Sequence, residues 1–346
     1  MRSWKTTRRG IDRGICLRAG ILSAREKIIR RGARIMDITE LKYEFITAGE
    51  PDKGRSDSGR YAVLTKGRKS FLFNAEERGI IAAFPYSIHT CCFDAEEKTL
   101  FSLEFNGTLH IYDLIGKREV FKKKIVGRGF ACESGIAVRR NEIYCVGYKN
   151  GRFVRFCYRP DADTTERELM PGRESVVGTY KDMVICEHIP EAKYSLSDRF
   201  TLLYPDGSER VWCEYNRSSS CYHGGALYSI SDFGEGNILH IDYPDGREKR
   251  QILLPYTEKG FRFWGATFDT DGRYLAFASN EKTRSGNRRA VCYDMQTKTV
   301  IYREEWKDLY SVAVLKNGFL YGGFTESRFV GFEELGIMGK LSPLES

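Results

Sequence analysis

The sequence lacks every short motif that dictates a reaction. It has no GxSxG elbow, no phosphate-binding P-loop, no HExxH pair and no strand–GxGxxG–helix unit. That excludes the commonest hydrolase, nucleotidase, zincin and dinucleotide-enzyme signatures. No CxxC pair occurs among its ten cysteines, which removes zinc ribbons and thioredoxin-type redox sites. Cys91, Cys92, Cys145, Cys157, Cys186, Cys213 and Cys292 sit in apolar, strand-like runs, where a buried thiol behaves as a small hydrophobe. With no secretory signal either, free thiols in a reducing, cytoplasmic compartment are expected. No uncharged apolar run approaches the roughly 20 residues that cross a bilayer, so neither a transmembrane helix nor a membrane partner is expected.

Proline is scarce as well, nine residues against 34 glycines, while Tyr and Phe number 20 and 21. Many aromatics with many glycines suit short strands joined by tight turns. The formal charge of +8 is concentrated at one end. Residues 1–35 hold eleven basic and two acidic side chains, leaving 44 basic and 45 acidic in 36–346. The body is electrically balanced, so the global charge gives no reason to expect nucleic acid on the folded domain. The extension itself fits three readings. Clustered arginines suit a phosphate-binding arm, and an acid-poor, Arg-rich segment suits a transit peptide. Arg30-Arg31 just before Met36 also suits upstream sequence read through a ribosome-binding site, with Met36 as the start. Residues 1–35 are expected to stand outside the fold, as a disordered arm or as sequence upstream of Met36, and the fold to occupy 36–346.

An internal repeat decides the architecture. FTLLYPDGSERVW (200–212) matches LHIDYPDGREKRQIL (239–253), each an apolar strand turning at Pro-Asp-Gly into another. The same register places seven anchors at Phe73, Tyr112, Phe156, Tyr204, Tyr243, Tyr293 and Phe332. A strand precedes each anchor strand, and in six copies a small-residue strand lies further upstream. Four antiparallel strands per copy, at a period of about 43 residues, predict an all-β seven-bladed propeller. The last blade needs a fourth strand, from the tail GIMGKLSPL or from LKYEFITA (41–48).

This pattern resembles the WD-repeat family and its β-propeller relatives over essentially all of residues 40–346. The resemblance is carried by Tyr112-Asp113 and Tyr293-Asp294, standing where that family places Trp-Asp, and by DGRYLAFAS (271–279). No Trp-Asp or Gly-His dipeptide occurs. The resemblance implies a non-catalytic scaffold for a protein partner. Propellers that hydrolyse lactones or cleave sugars are similar in architecture, so a small-ligand or metal-dependent hydrolase or lyase site at the channel mouth is the alternative.

Candidate site residues come from the innermost strands. Aligned on the small residue that follows, they give a column of His89, Glu133, Val177, His223, Trp264 and Tyr310, with Arg262 two residues before Trp264. Equivalent inner-strand positions form a ring about a propeller axis, so His89, Glu133, His223, Arg262, Trp264 and Tyr310 are expected at one channel mouth. Lining a solvated channel is the bland role for such groups, and binding a polar ligand or partner the sharper one. His89, Glu133 and His223 are also metal-ligating types, although neither a metal nor any other cofactor is expected. His110 and His240 read as structural, and the folded body as a monomer.

Overall fold

The computed structural model describes residues 44–45, 54–189, 197–216, 219–232, 237–254, 267–278, 287–307, 309–323 and 327–336. The basic extension 1–35 lies outside them. The described chain forms seven antiparallel sheets, each running in sequence order from an inner to an outer strand. Six sheets have four strands, and the last shows three among the described residues. The blades span 44–84, 90–124, 131–170, 173–216, 219–253, 267–306 and 309–331. The protein is therefore an all-β seven-bladed propeller, as the repeat predicts. Among the described residues no helix is long and apolar enough to cross a membrane.

Local chemistry explains the repeated strand–turn unit. The Asp of each Tyr-Asp pair caps the turn between the third and outer strands. Asp113 Oδ1 accepts the amides of Ile115 and Gly116 at 3.0 and 2.9 Å, and Asp294 Oδ1 those of Gln296 and Thr297 at 2.8 and 3.3 Å. Asn74 does the same for Glu76 and Glu77 in the first blade. In the Pro-Asp-Gly copies Asp206 accepts the Ser208 amide at 2.9 Å, while Gly207 and Gly246 supply φ of 82° and 78°. These are Asx-type turns, in which a short side chain replaces a backbone acceptor.

The core lies between blades, because each sheet is apolar on both faces. Tyr228, Leu239 and Ile241 of the fifth blade pack on Phe268, Leu275 and Phe277 of the sixth. The nine described cysteines are free thiols, eight of them buried in these layers.

Ring closure departs from one expectation. Within 41–48, the two described residues do not join the last blade. Glu44–Phe45 instead pair with Tyr61–Lys66, Phe45 opposite Leu64, as the inner strand of the first blade. The other expected source, the tail beyond Gly336, lies outside the described residues. First and last blades join face to face: Ala62, Leu64 and Phe73 pack against Ala313, Leu315, Leu320 and Phe329. The Lys316 amide donates to the Gly59 carbonyl at 2.9 Å, and Arg78 pairs with Glu333.

Gly59 marks how tight this seam is. Its φ is +70°, and a Cβ there would stand 2.7 Å from the Lys316 nitrogen. Gly67 has a similar φ of +59° but open space around it. Gly67→Ala is expected to cost about 1–2 kcal/mol, the price of a left-handed residue with a side chain. Gly59→Ala should cost clearly more, as measured by urea unfolding of both variants. Equal losses would mean that the seam yields freely.

Candidate functional site

Within each blade the inner strand starts at one end of the disc, the upper, and turns back at the other, the lower. His89 stands at an upper end, its amide donating to the Leu103 carbonyl at 2.7 Å just before strand Thr90–Phe93. Glu133 lies near the start of Ala131–Arg139, its carboxylate 3.6 Å from Arg173. Thr90 Oγ1 accepts the Gly135 amide at 3.2 Å, tying these two inner strands together.

His223 belongs to the other end. It is the last residue of Ser219–His223 and pairs with Ala226 across Gly224-Gly225. Both glycines have positive φ, 57° and 77°, as a two-residue hairpin requires. In hydrogen-bonded register Phe93, Val138, Thr179, Tyr222, Thr270 and Ala313 are equivalent, each opposite the second residue of the next strand's motif. On that scale His89 and His223 are five residues apart, on the order of 15 Å of strand. One ion with bonds near 2 Å cannot hold His89, Glu133 and His223 together. The small residue used to align them plays different roles: Thr90 opens a strand, whereas Gly224 sits in a turn. Arg262 and Trp264 lie outside the described residues, as does the side chain of Tyr310.

The axis holds instead a charged pair that the repeat alignment misses. Arg55 bridges to Ala62 in the first blade and reaches Asp269 in the sixth. Its Nε and Nη2 donate to the Asp269 carboxylate at 2.5 and 3.0 Å, and Nη2 also donates to the Thr270 carbonyl at 2.7 Å. Asp269 further accepts the Val314 amide of the seventh blade at 2.7 Å and the Cys221 thiol of the fifth at 3.2 Å. Both charged side chains are buried, at 2% and 0% exposure. A signal for Asp269 was present: it is the one acid in a register column of Cys92, Ala137, Gly178, Cys221 and Val312. For Arg55 no pattern points inward.

This pair sets the electrostatics of His223. Burial, reinforced by the Arg55 charge and only partly offset by Asp269, pushes its imidazole down to about 3. His110 fills a structural role, fully buried with Nδ1 2.6 Å from Glu119 and Nε2 2.9 Å from Glu104, stacked on Tyr86.

On the upper end, blades two and three carry a strip of rings and cations. Phe105 is 61% exposed, with the His89 ring edge-on at 5.2 Å. The Phe105 carbonyl accepts the Cys132 amide at 2.7 Å, which carries the strip to the next blade. There Phe130 packs on Phe156 at 5.5 Å, with Lys149 Nζ 5.5 Å from its ring centre. Tyr148, 38% exposed, leans on Phe153 at 4.8 Å. Among the described residues no His, Cys, Asp and Glu group is arranged to hold a metal.

Comparison with known proteins returns the fold. A crystal structure of oligogalacturonate lyase from Vibrio parahaemolyticus matches with a TM-score of 0.59 at 12% identity, over 85% of this chain and 91% of that one. U3-55K matches at 0.50 and 12%, over 87% and 94%. The WD40 repeats of RRP9 match at 0.49 and 11%, over 84% and 92%. No family model and no curated protein sequence matches. At such identities the likeness is one of architecture alone, and it agrees with the seven-bladed propeller described above.

Two measurements test the axis. Asp269→Ala strands a buried guanidinium and should cost about 3–5 kcal/mol in urea unfolding. Arg55→Met with Asp269→Leu should recover part of that loss, because no charge is then left buried. For His223 the sign follows from a lowered folded value. The unfolded state takes up a proton below about 6.5 that the folded state refuses until about 3. Stability should therefore decrease as the pH is lowered from about 6.5 towards 3, by at most about 1.4 kcal/mol per unit from this group. His223→Gln should flatten the slope there and leave it unchanged above pH 7.

Proposed function

We propose that this propeller is a non-catalytic protein-interaction scaffold, with its docking surface on the upper end of blades two and three. The observation that carries the reading is the exposure of Phe105 on a pinned backbone, its carbonyl bonded to Cys132 of the blade whose upper end carries Tyr148 and Phe130. The other large exposed apolar residues are of a different kind. Ile115 stands in the turn after Asp113, and Val120, Leu169, Val211, Leu253 and Val300 lie on five different outer strands that also carry charged residues. Scattered apolar residues of that sort are ordinary surface, and the charges beside them discourage edge pairing. A cluster of rings rimmed by cations is the composition of interface cores.

The upper mouth also keeps His89 and Glu133 from the expected ring, so a partner on the strip would border both. The test is paired affinity capture from the protein's own cell extract, read by mass spectrometry. The full chain, a Phe105→Ser/Tyr148→Ser variant and a rim control, Lys122→Gln, are compared. Proteins retained by the wild type and the control but lost by the double variant are the expected result. Equal retention by all three would move the docking surface elsewhere.

A further inference from the structure

Resting on that reading of the strip, we infer that the upper edge of blades two and three recognises an acidic peptide segment carrying one bulky apolar side chain. The cations there are the reason. Arg128 and Arg152 are exposed, and neither makes an ion pair among the described residues. Lys149 donates from Nζ to the Arg128 carbonyl at 3.3 Å and lies over the Phe130 ring. Its charge is thus fixed in place without being neutralised. Two carboxylates at this end have partners of their own: Glu104 contacts His110 at 2.9 Å, and Glu133 stands 3.6 Å from Arg173. The strip is a local excess of positive charge on a body that is otherwise balanced.

Its shape supplies the second half of the specificity. Phe105 projects from a turn closed by the Gly107 amide on the Glu104 carbonyl at 2.8 Å, with Gly107 at φ 81°. Phe105 is bonded through its carbonyl to Cys132, and Tyr148 pairs with Ala131 one residue before the paired Lys149 and Arg152, so a chain lying along the edge meets apolar and positive ground together. Acidic side chains would pair with Arg128, Lys149 and Arg152, and an apolar side chain would settle between the rings. A polynucleotide fits less well. Three cations neutralise about three phosphates, a contribution that physiological salt largely removes, and the balanced body adds no longer-range attraction.

The test uses fluorescence anisotropy of labelled probes against the full chain. They are a peptide with Phe flanked by Asp and Glu, its Ala counterpart, its Lys-flanked counterpart and a short thymidine oligonucleotide. The acidic Phe peptide should bind best and weaken as salt rises. Arg128→Gln/Arg152→Gln and Phe105→Ser should each weaken it about tenfold, worth about 1.4 kcal/mol, at unchanged melting temperature. Lys122→Gln should leave it unaffected. Unchanged affinity in the double arginine variant, equal binding of the Lys-flanked peptide, or oligonucleotide binding that is tighter and lost in the double arginine variant would each overturn the inference, the last by assigning the strip to nucleic acid. If no peptide binds while capture still depends on Phe105 and Tyr148, acid recognition falls and the scaffold reading stands. If capture is indifferent to those rings, the docking surface itself falls.

Discussion

A propeller must close a ring from sheets that touch only their neighbours, and the Asp269 carboxylate is where this ring is held from the inside. It takes the Arg55 guanidinium from the first blade, the Val314 amide from the seventh and the Cys221 thiol from the fifth, while itself belonging to the sixth. Four of the seven blades therefore meet at one buried anion. Such a pair is an uncertain source of net stability, because removing two charges from water costs nearly what their attraction returns. Its value is geometric. With donors fixed on three other blades, only one arrangement of the inner strands satisfies all of them, and any other leaves a charge stranded.

The seam between first and last blades depends on that arrangement. It is made of apolar faces, the Lys316–Gly59 backbone bond and exposed ion pairs, with no shared sheet among the described residues. Apolar faces are tolerant of small slips, whereas the Arg55 bond to Asp269 spans the seventh blade and is not. The axial pair fixes the register, and the hydrophobic layers supply the cohesion.

How much of this was legible follows the same division. Strand positions could be read because each blade repeats the same alternation and Asx-capped turns, so Tyr112-Asp113 and Tyr293-Asp294 mark real turns in real places. The site could not be read by the same route. Small residues at inner strands fill two unrelated needs, room near the axis and positive φ in a hairpin, and an alignment on smallness confuses them. Gly224-Gly225 after His223 is a hairpin signature, and given that weight it places His223 at the lower end without a structure. Arg55 was beyond reach. Its partner lies 214 residues away, and no periodic pattern ties a single arginine in a polar turn-rich stretch to an axis.

The two ends of the disc consequently do different things. Arg55 and Asp269 form a buried pair among the inner strands, and His223 beside them is kept neutral by burial. The upper end of blades two and three presents rings and cations to solvent, and buried polar chemistry supports them. Glu104, the residue before Phe105, accepts the Gly107 amide with its carbonyl, donates its own amide to the Thr108 carbonyl at 2.9 Å and contacts His110 with its side chain. His110 is in turn clasped by Glu119 and stacked on Tyr86. An exposed aromatic on a mobile loop would lose much of its binding energy to ordering, about 0.5–1.5 kcal/mol for each side chain immobilised. The backbone that carries Phe105 is already held by this buried histidine network through Glu104 and by the Phe105 carbonyl bond to Cys132. The histidine that sequence assigns to a structural role thus braces the turn from which the exposed ring projects.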